Sequence, residues 1–325
     1  MKILFLSDFV PIKNIRLGED FKRLFREADK VLFNLEGSPL TGSDIDYQNQ
    51  IMPFNIDEFL AFIKQFGKSK FVVALANNHI LDNGDRGFNY LIKKLEAHSI
   101  SYFGTKNKPF IDIDGEVSVL NFVTAETVAR HSSRKKLNYL FYDPSTINKQ
   151  IKELEKKGTD LVLYPHWGRD MDRTTFKTYD FDLNPEKWTT FGHHPHVIGE
   201  IKPNFIYSLG NTFIPHPNYY KRFKAVKYGL AALYDTENRE YELKLTGVFS
   251  EDGFENNFQI KVTDFDSLPR EILSYNKDFS PLKKVVLNLF SFKGNIFDCF
   301  KLYALQYLTV LFKMRNQIFS KNNSE

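Results

Sequence analysis

A single cysteine, Cys299, stands among 325 residues. It excludes an internal disulfide framework and suits a reducing compartment. Structural zinc held by several thiolates is excluded with it, so a bound metal would have to draw on His, Asp, Glu and Asn. No uninterrupted run of about twenty apolar residues occurs. The apolar start, Ile3-Leu4-Phe5-Leu6, is too short for a secretory signal. Low-complexity segments and internal repeats are missing as well. Most of the chain also lacks an excess of charge. Seven of the 44 Lys and Arg and two of the 40 Asp and Glu fall in Pro281–Glu325, a net of +5, which leaves 37 basic and 38 acidic residues, a net of −1, elsewhere. The body therefore has no electrostatic footprint for nucleic acid, and no nucleic-acid partner is expected. These absences point to a cytoplasmic protein, with peripheral attachment to the inner face of a membrane left open by the basic tail.

What is present is a globular composition, 42% hydrophobic and 15% aromatic, with length for one large domain or a domain plus an appendage. Residues 2–8 read as a strand ending on Asp8. Glu19–Glu27 reads as a helix with Phe21, Leu24 and Phe25 on one face. Val31–Leu35 is a second strand, ending on Glu36-Gly37. A helix over residues 55–66 leads to a third strand, Phe71–Leu75, which runs into Ala76-Asn77-Asn78-His79. Phe88, Tyr90, Leu91 and Leu95 mark a helix after it. Shorter strands lie near 109–113 and 117–123. Asp143-Pro144 opens a helix, with Asp as N-cap and Pro in the first turn. Leu161–Tyr164 ends on Pro165-His166-Trp167-Gly168. Gly192-His193-His194-Pro195-His196 precedes the strand Phe205–Ser208, which ends on Leu209-Gly210-Asn211. Tyr228–Tyr234 and Tyr241–Phe249 read as paired strands, and from about Ser267 the pattern turns helical. The alternation predicts an α/β fold.

Asp8, Glu36, Asn78-His79, His166 and His194-x-His196 share one property. Each lies at or just beyond the end of an apolar strand, where open α/β sheets place ligand sites. With His193, which directly precedes His194, five of the eight histidines fall in these motifs. Two carboxylates, an amide oxygen and three imidazoles suit one or two divalent transition metals, manganese, iron or zinc. Two such ions about 3.5–4 Å apart can share a carboxylate, clamp a phosphoryl centre and acidify a bridging water. Singly, each residue has an ordinary alternative. Asp8 and Glu36 could cap helices, Asn77-Asn78 could be a turn, and His166 a half-buried loop histidine. His194-x-His196 is harder to explain without a ligand, because clustered neutral imidazoles are costly. His98, His131 and His216 lack such company and read as structural or surface residues.

The series Asp8, Asn34-Leu35-Glu36-Gly37, Ala76-Asn77-Asn78-His79-x-x-Asp82-x-Gly84, His166-Trp167-Gly168, Gly192-His193-His194-Pro195-His196-Val197 and Tyr207-Ser208-Leu209-Gly210-Asn211 resembles CapA-type capsule-synthesis (poly-γ-glutamate biosynthesis) proteins. These belong with the calcineurin-like metallophosphoesterases. The resemblance covers roughly residues 2–250. It implies a four-layer αββα sandwich with metals at the strand ends, assigned to residues 1–265; the helical pattern that follows reads as a C-terminal appendage over 266–325. By position, it makes Asp8 the terminal ligand of a first metal and Glu36 the bridging carboxylate. Asn78, His166 and His194 would bind the second metal, and His196 the first. His79 would assist the leaving group as acid, with Asp82 orienting it, and Asn211 would line the cleft. Four features depart from the expected pattern: Val10 stands where a His is usual, Glu36 where an Asp is usual, the acid usual after His-Trp-Gly is displaced behind Arg169 to Asp170, and the stretch before Gly192 is shorter and more polar than usual.

The implied activity is that of a metal-dependent hydrolase in capsule or exopolymer biosynthesis. The alternative is a non-hydrolytic accessory subunit of a polymer assembly or export machine. The expected substrate is a phosphorylated or anionic polymer or glycan. Arg169 is the first candidate to hold its anionic group, with Asn77, Asn211 and Trp167 as further candidate substrate contacts. Trp167 would stack on the substrate or pack against the metal loop. In the tail, Ile296–Phe312 is apolar but interrupted by Asp298, Lys301 and Gln306, which argues against a spanning helix. Residues 281–320 suit a helix lying on an anionic membrane. Packing on the domain or against a second copy in a homodimer is the competing reading.

Overall fold

The computed structural model describes residues 1–12, 15–40, 52–124, 143–173, 187–215, 220, 224–250 and 258–263. The expected C-terminal appendage lies outside them. In chain order the elements are β1 (Lys2–Phe9), β2 (Ile15–Leu17), α1 (Glu19–Glu27), β3 (Lys30–Leu35), β4 (Ser38–Pro39), β5 (Pro53–Phe54), α2 (Ile56–Lys64), β6 (Phe71–Ala74), α3 (Gly84–Ala97), β7 (Ser101–Phe103), β8 (Phe110–Ile113) and β9 (Val117–Val123). The second half adds α4 (Pro144–Glu155), β10 (Asp160–His166), β11 (Thr189–Phe191), β12 (Ile201–Lys202), β13 (Phe205–Ile206), β14 (Asn211–Phe213), β15 (Tyr228–Asp235), β16 (Glu240–Phe249) and β17 (Phe258–Thr263).

Two mixed sheets carry the fold. The first runs β2-β17-β16-β15-β1-β3-β6-β7, with β14 also pairing to β1. Its β1, β3, β6 and β7 are parallel neighbours, and β15–β17 form an antiparallel meander. The second runs β12-β13-β11-β10-β9-β8. Alternate residues decide how the sheets meet. Ile3, Phe5, Leu32 and Val72 of the first share one buried cluster with Val119, Val162, Tyr164 and Phe191 of the second. The opposite faces take helices. Phe33 and Phe71 pack edge-on against Phe59 of α2 and Phe25 of α1. Leu120, Phe122, Leu161 and Leu163 pack with Ile147, Ile151 and Leu154 of α4. The expected α/β class is therefore present, with helices outside and the two sheets face to face. The Asp143 side chain accepts a hydrogen bond from the Thr146 amide at 3.0 Å, capping α4 as its sequence predicts.

One irregularity aims the site. Phe5 pairs with Leu32, but Asp8 pairs with Asn34, so β1 spends three residues where β3 spends two. This bulge breaks the strict alternation. Without it, Ser7 would share the face of Phe5; with it, Asp8 turns toward the second sheet. Where the ladder is interrupted, the Tyr164 hydroxyl reaches across from β10. It donates to the Leu6 carbonyl and accepts from the Asn34 amide at 3.1 Å.

Candidate metal centre

The two sheets bring their parallel strand ends to one place, and the acid and imidazole side chains gather there. Asp8 at the end of β1 is fully buried. Its Oδ1 accepts from Asn34 Nδ2 at 2.8 Å and lies 3.0 Å from His193 Nδ1. Its Oδ2 accepts from the His194 amide at 3.0 Å and lies 3.5 Å from His196 Nδ1. Burial alone would raise the Asp8 carboxyl, but His166 and His193 outweigh it and hold the group well below the usual range. Asp8 is thus an anion inside the protein.

Glu36, just past β3, behaves oppositely. It too is fully buried, and neither carboxylate oxygen has a hydrogen-bond partner. His166 Nε2 and His196 Nε2 each lie 3.9 Å from Oε1, beyond hydrogen-bond reach. Burial, reinforced by the charges of Asp8, Asp170 and Asp82, pushes its carboxyl well above the ordinary value.

Two of the histidines, His166 and His194, are pushed toward the neutral form. Burial pushes His166 down to about 3, against the pull of Asp8. Burial also drives His194 well below its ordinary value, helped by the neighbouring imidazole of His166. His166 Nε2 lies 2.7 Å from Asn78 Oδ1, so the Asn78 amide joins the cluster. His196 Nδ1 faces Asn211 Oδ1 at 2.9 Å, and Asn211 Nδ2 donates to the Val226 carbonyl at 3.0 Å. Asn211 thereby fixes the ring and leaves Nε2 toward Glu36. His194 Nδ1 is buried with no hydrogen-bond partner, and its Nε2 lies 3.4 Å from Asp170. His194 and His196 both hold positive φ, 98° and 60°. Such conformations are unfavourable for side-chain-bearing residues and gather at functional sites. Gly192 permits this turn. A Cβ there would stand 2.0 Å from the Tyr207 carbonyl and 2.4 Å from the Trp167 indole nitrogen.

Donor atoms of Asp8, Glu36, His166, His193, His194, His196 and Asp170 form overlapping groups of three, each within 4.8 Å. Divalent cations take such oxygen and imidazole donors. Buried lone pairs on Glu36 and His194 that meet no hydrogen are what a cation would satisfy, and the residues present fit a divalent metal ion. Of the six ligands expected from the sequence, Asp8, Glu36, His166, His194 and His196 converge, and Asn78 joins them through His166.

Three expected substrate contacts stand elsewhere in the packing. Trp167 is fully buried, its indole N–H donating to the Tyr207 carbonyl at 2.8 Å and its ring stacked on Tyr207. It belongs to the core beneath α4 rather than to a substrate face. Asn77 is fully buried too; its Nδ2 donates to Asn34 Oδ1 and the Leu35 carbonyl, and its Oδ1 accepts from the His79 amide. Asn211 acts on His196 as described. All three were consumed by partners far along the chain. Arg169 remains exposed. His79 Nδ1 lies 2.8 Å from Asp82 Oδ2, the pairing expected of them.

Four residues were missed. His193 Nδ1 lies 2.8 Å from His166 Nδ1 and 3.0 Å from Asp8 Oδ1, and its Nε2 faces the Tyr164 carbonyl at 3.3 Å, so it braces both His166 and Asp8. Asn34 orients Asp8, Tyr164 spans the bulge, and Asp170 reaches His194. His193 and Asn34 stood inside the quoted motifs, the only available signal. Tyr164 looked like one more apolar strand residue.

Comparison with known proteins identifies the family. Residues 14–215 match the model of the family described as bacterial capsule synthesis protein PGA_cap. The capsule biosynthesis protein CapA of Bacillus anthracis is 28% identical over 211 residues, 57% of this chain and 50% of that protein. The chain spans about half the length of the curated relative it matches. A crystal structure of the calcineurin-like phosphoesterase YfkN from Bacillus subtilis aligns over 81% of this chain and 88% of its own, with 10% identity and a TM-score of 0.41. Among the described residues no helix is long and apolar enough to cross a membrane. The match covers more than half of the chain, and this chain belongs to the bacterial capsule synthesis protein PGA_cap family.

Proposed function

We propose that this chain is a metal-dependent hydrolase of the phosphoesterase type, acting on a phosphorylated or anionic polymer of the cell envelope. The observation that carries the reading is the Glu36 carboxylate, fully buried and without a hydrogen-bond partner between His166 and His196. A carboxylate so placed is costly unless a cation meets it. Asp8, Glu36, Asn78, His166, His194 and His196 would hold one or two ions, and Asp170 would add a partly exposed donor on the His194 side. Bound divalent metal supplies Lewis acidity and a water acidic enough to attack at neutral pH. The remaining residues have simpler tasks. Arg169 offers a guanidinium fork to an anionic group. His79, oriented by Asp82, delivers a proton to the leaving oxygen. Asn34, His193 and Asn211 keep the donors fixed.

A second reading, a non-hydrolytic subunit that uses the same cleft to hold polymer, has one observation in its favour. Val10, two residues beyond Asp8, is apolar and 1% exposed, so that position supplies no donor. Elemental analysis of the purified protein, beside His194→Ala/His196→Ala and Asp170→Asn variants, tests the metal. One or two equivalents of manganese, iron or zinc are expected in the parent, near zero in the double variant and a partial loss in Asp170→Asn. Equal metal in parent and double variant would rule the centre out. Bound metal without turnover of generic phosphate mono- and diesters would favour the second reading.

A further inference from the structure

We propose that Tyr164 is a positioning residue of the metal centre, an inter-sheet strut that sets Asp8 and His193 together; this inference rests on the metal-dependent reading above. Three contacts carry it. The hydroxyl enters the β1 bulge, donating to the Leu6 carbonyl and accepting from the Asn34 amide at 3.1 Å. Those are backbone groups of the residues that flank and orient Asp8: Leu6 lies two positions before it, and the Asn34 side chain holds its Oδ1. The phenol ring packs on the His193 imidazole with centroids 4.3 Å apart. The Tyr164 carbonyl faces His193 Nε2 at 3.3 Å and also accepts from Asn121 Nδ2 at 2.7 Å. One residue of the second sheet thus touches the bulge that aims the carboxylate and the imidazole that braces it.

The arrangement is more than packing. A phenylalanine would fill the same space between the sheets, since the ring already sits among Phe5, Val162 and Phe191. Only the hydroxyl can serve the donor and the acceptor that the bulge leaves without ladder partners. Removing it frees the bulge to relax, and Asp8 would return toward the regular alternation, away from the second sheet.

The test is calorimetric titration of manganese or zinc into chelator-treated protein. Tyr164→Phe is expected to remain folded by circular dichroism while binding metal about ten- to hundred-fold more weakly, the range seen when outer partners of metal ligands are removed. Val162→Ala, in the same strand and core but away from the bulge, should lower the melting temperature and leave metal affinity unchanged. Replacing Tyr164 with p-aminophenylalanine, which restores a donor at the same point, should recover part of the affinity. Tight binding by Tyr164→Phe, or equal weakening in Val162→Ala, overturns the assignment. A Tyr164→Phe protein that does not fold makes the hydroxyl a requirement of the fold and overturns it too. If the parent itself binds no metal, the metal-dependent reading falls and this inference falls with it.

Discussion

Glu36→Gln is expected to make the metal-free protein more stable and to abolish most of its stabilisation by metal. The two effects have one cause. Without a cation, the Glu36 carboxylate is a buried group with no hydrogen-bond partner. Burial first, and then the charges of Asp8, Asp170 and Asp82, raise its folded-state pKa. An acid raised in the folded state contributes stability that is fully present below its unfolded value, about 4.3, and lost as pH climbs through the folded value. The amide is neutral throughout, so the advantage of Glu36→Gln should grow from acid toward neutral pH. At pH 7.5, relieving an unsatisfied buried charge is worth about 2 kcal/mol, or roughly 5 °C in melting temperature for a domain of this size. Asp8 has the opposite sign: its lowered carboxyl gives stability present above the unfolded value and lost as pH falls through the folded one. Acid should therefore unfold both proteins, and only the alkaline side should separate them. Adding manganese or zinc at about a hundred times the dissociation constant should stabilise the parent by about 3 kcal/mol and the variant far less. Scanning calorimetry with and without metal at pH 5.5 and 7.5 measures all of this. A lower melting point for metal-free Glu36→Gln, or an undiminished metal shift, would contradict the role given to Glu36.

The same residue shows how far the amino-acid sequence can be read. Strand ends carrying Asp8, Glu36 and His166 were legible because apolar runs give way to polar residues: β1 ends one residue past Asp8, β3 one before Glu36, and β10 on His166. Helix α1 occupies the residues its apolar spacing marks, Glu19–Glu27. Short strands such as β7 and β14 were not legible. Three residues give no periodicity, and their pairing partners, β6 and β1, lie far away in the chain. The bulge in β1 was equally hidden, since it is defined only by register against β3.

Within the site, residue type told less than geometry. Asn77, Asn78, Asn34 and Asn211 look alike in a sequence. Only their partners separate Asn78, which meets His166, from Asn77, which holds the loop, and from Asn34 and Asn211, which orient Asp8 and His196. His193, His194 and His196 differ in the same way. Successive positive φ values at His194 and His196 turn those rings toward the acids, while His193 turns between Asp8 and the Tyr164 carbonyl. Of the two readings open to Trp167, stacking on a ligand or packing against the metal loop, the structure takes the second, with its indole N–H consumed by Tyr207 and its backbone N–H bonded to the His193 carbonyl. Most of these distinctions depend on contacts 15 or more residues apart, and the bond from His79 to Asn77 is the local exception.

His79→Ala is expected to lower turnover of a phosphate ester by about a hundred- to ten-thousand-fold, the span of general acid–base catalysis, while leaving metal content intact. The geometry separates His79 from the donors. Its Nδ1 is engaged by Asp82 at 2.8 Å, its amide is held by Asn77, and its side chain remains 9% exposed. The Asp82 carboxylate fixes the ring through Nδ1 and leaves Nε2 as the nitrogen open to a substrate. Asp82→Asn then gives a second, smaller effect. An amide can present either an oxygen or an N–H to Nδ1, so the ring is no longer held in one tautomer, and a loss of about ten- to hundred-fold follows. Unchanged metal content and melting temperature in His79→Ala separate this loss from simple loss of folding. Steady-state kinetics across pH, with elemental analysis of each variant, decides the matter. If metal leaves with activity in His79→Ala, His79 belongs to the metal shell; if activity persists, the leaving group takes its proton elsewhere, and Asp170, beside His194, becomes the next residue to replace.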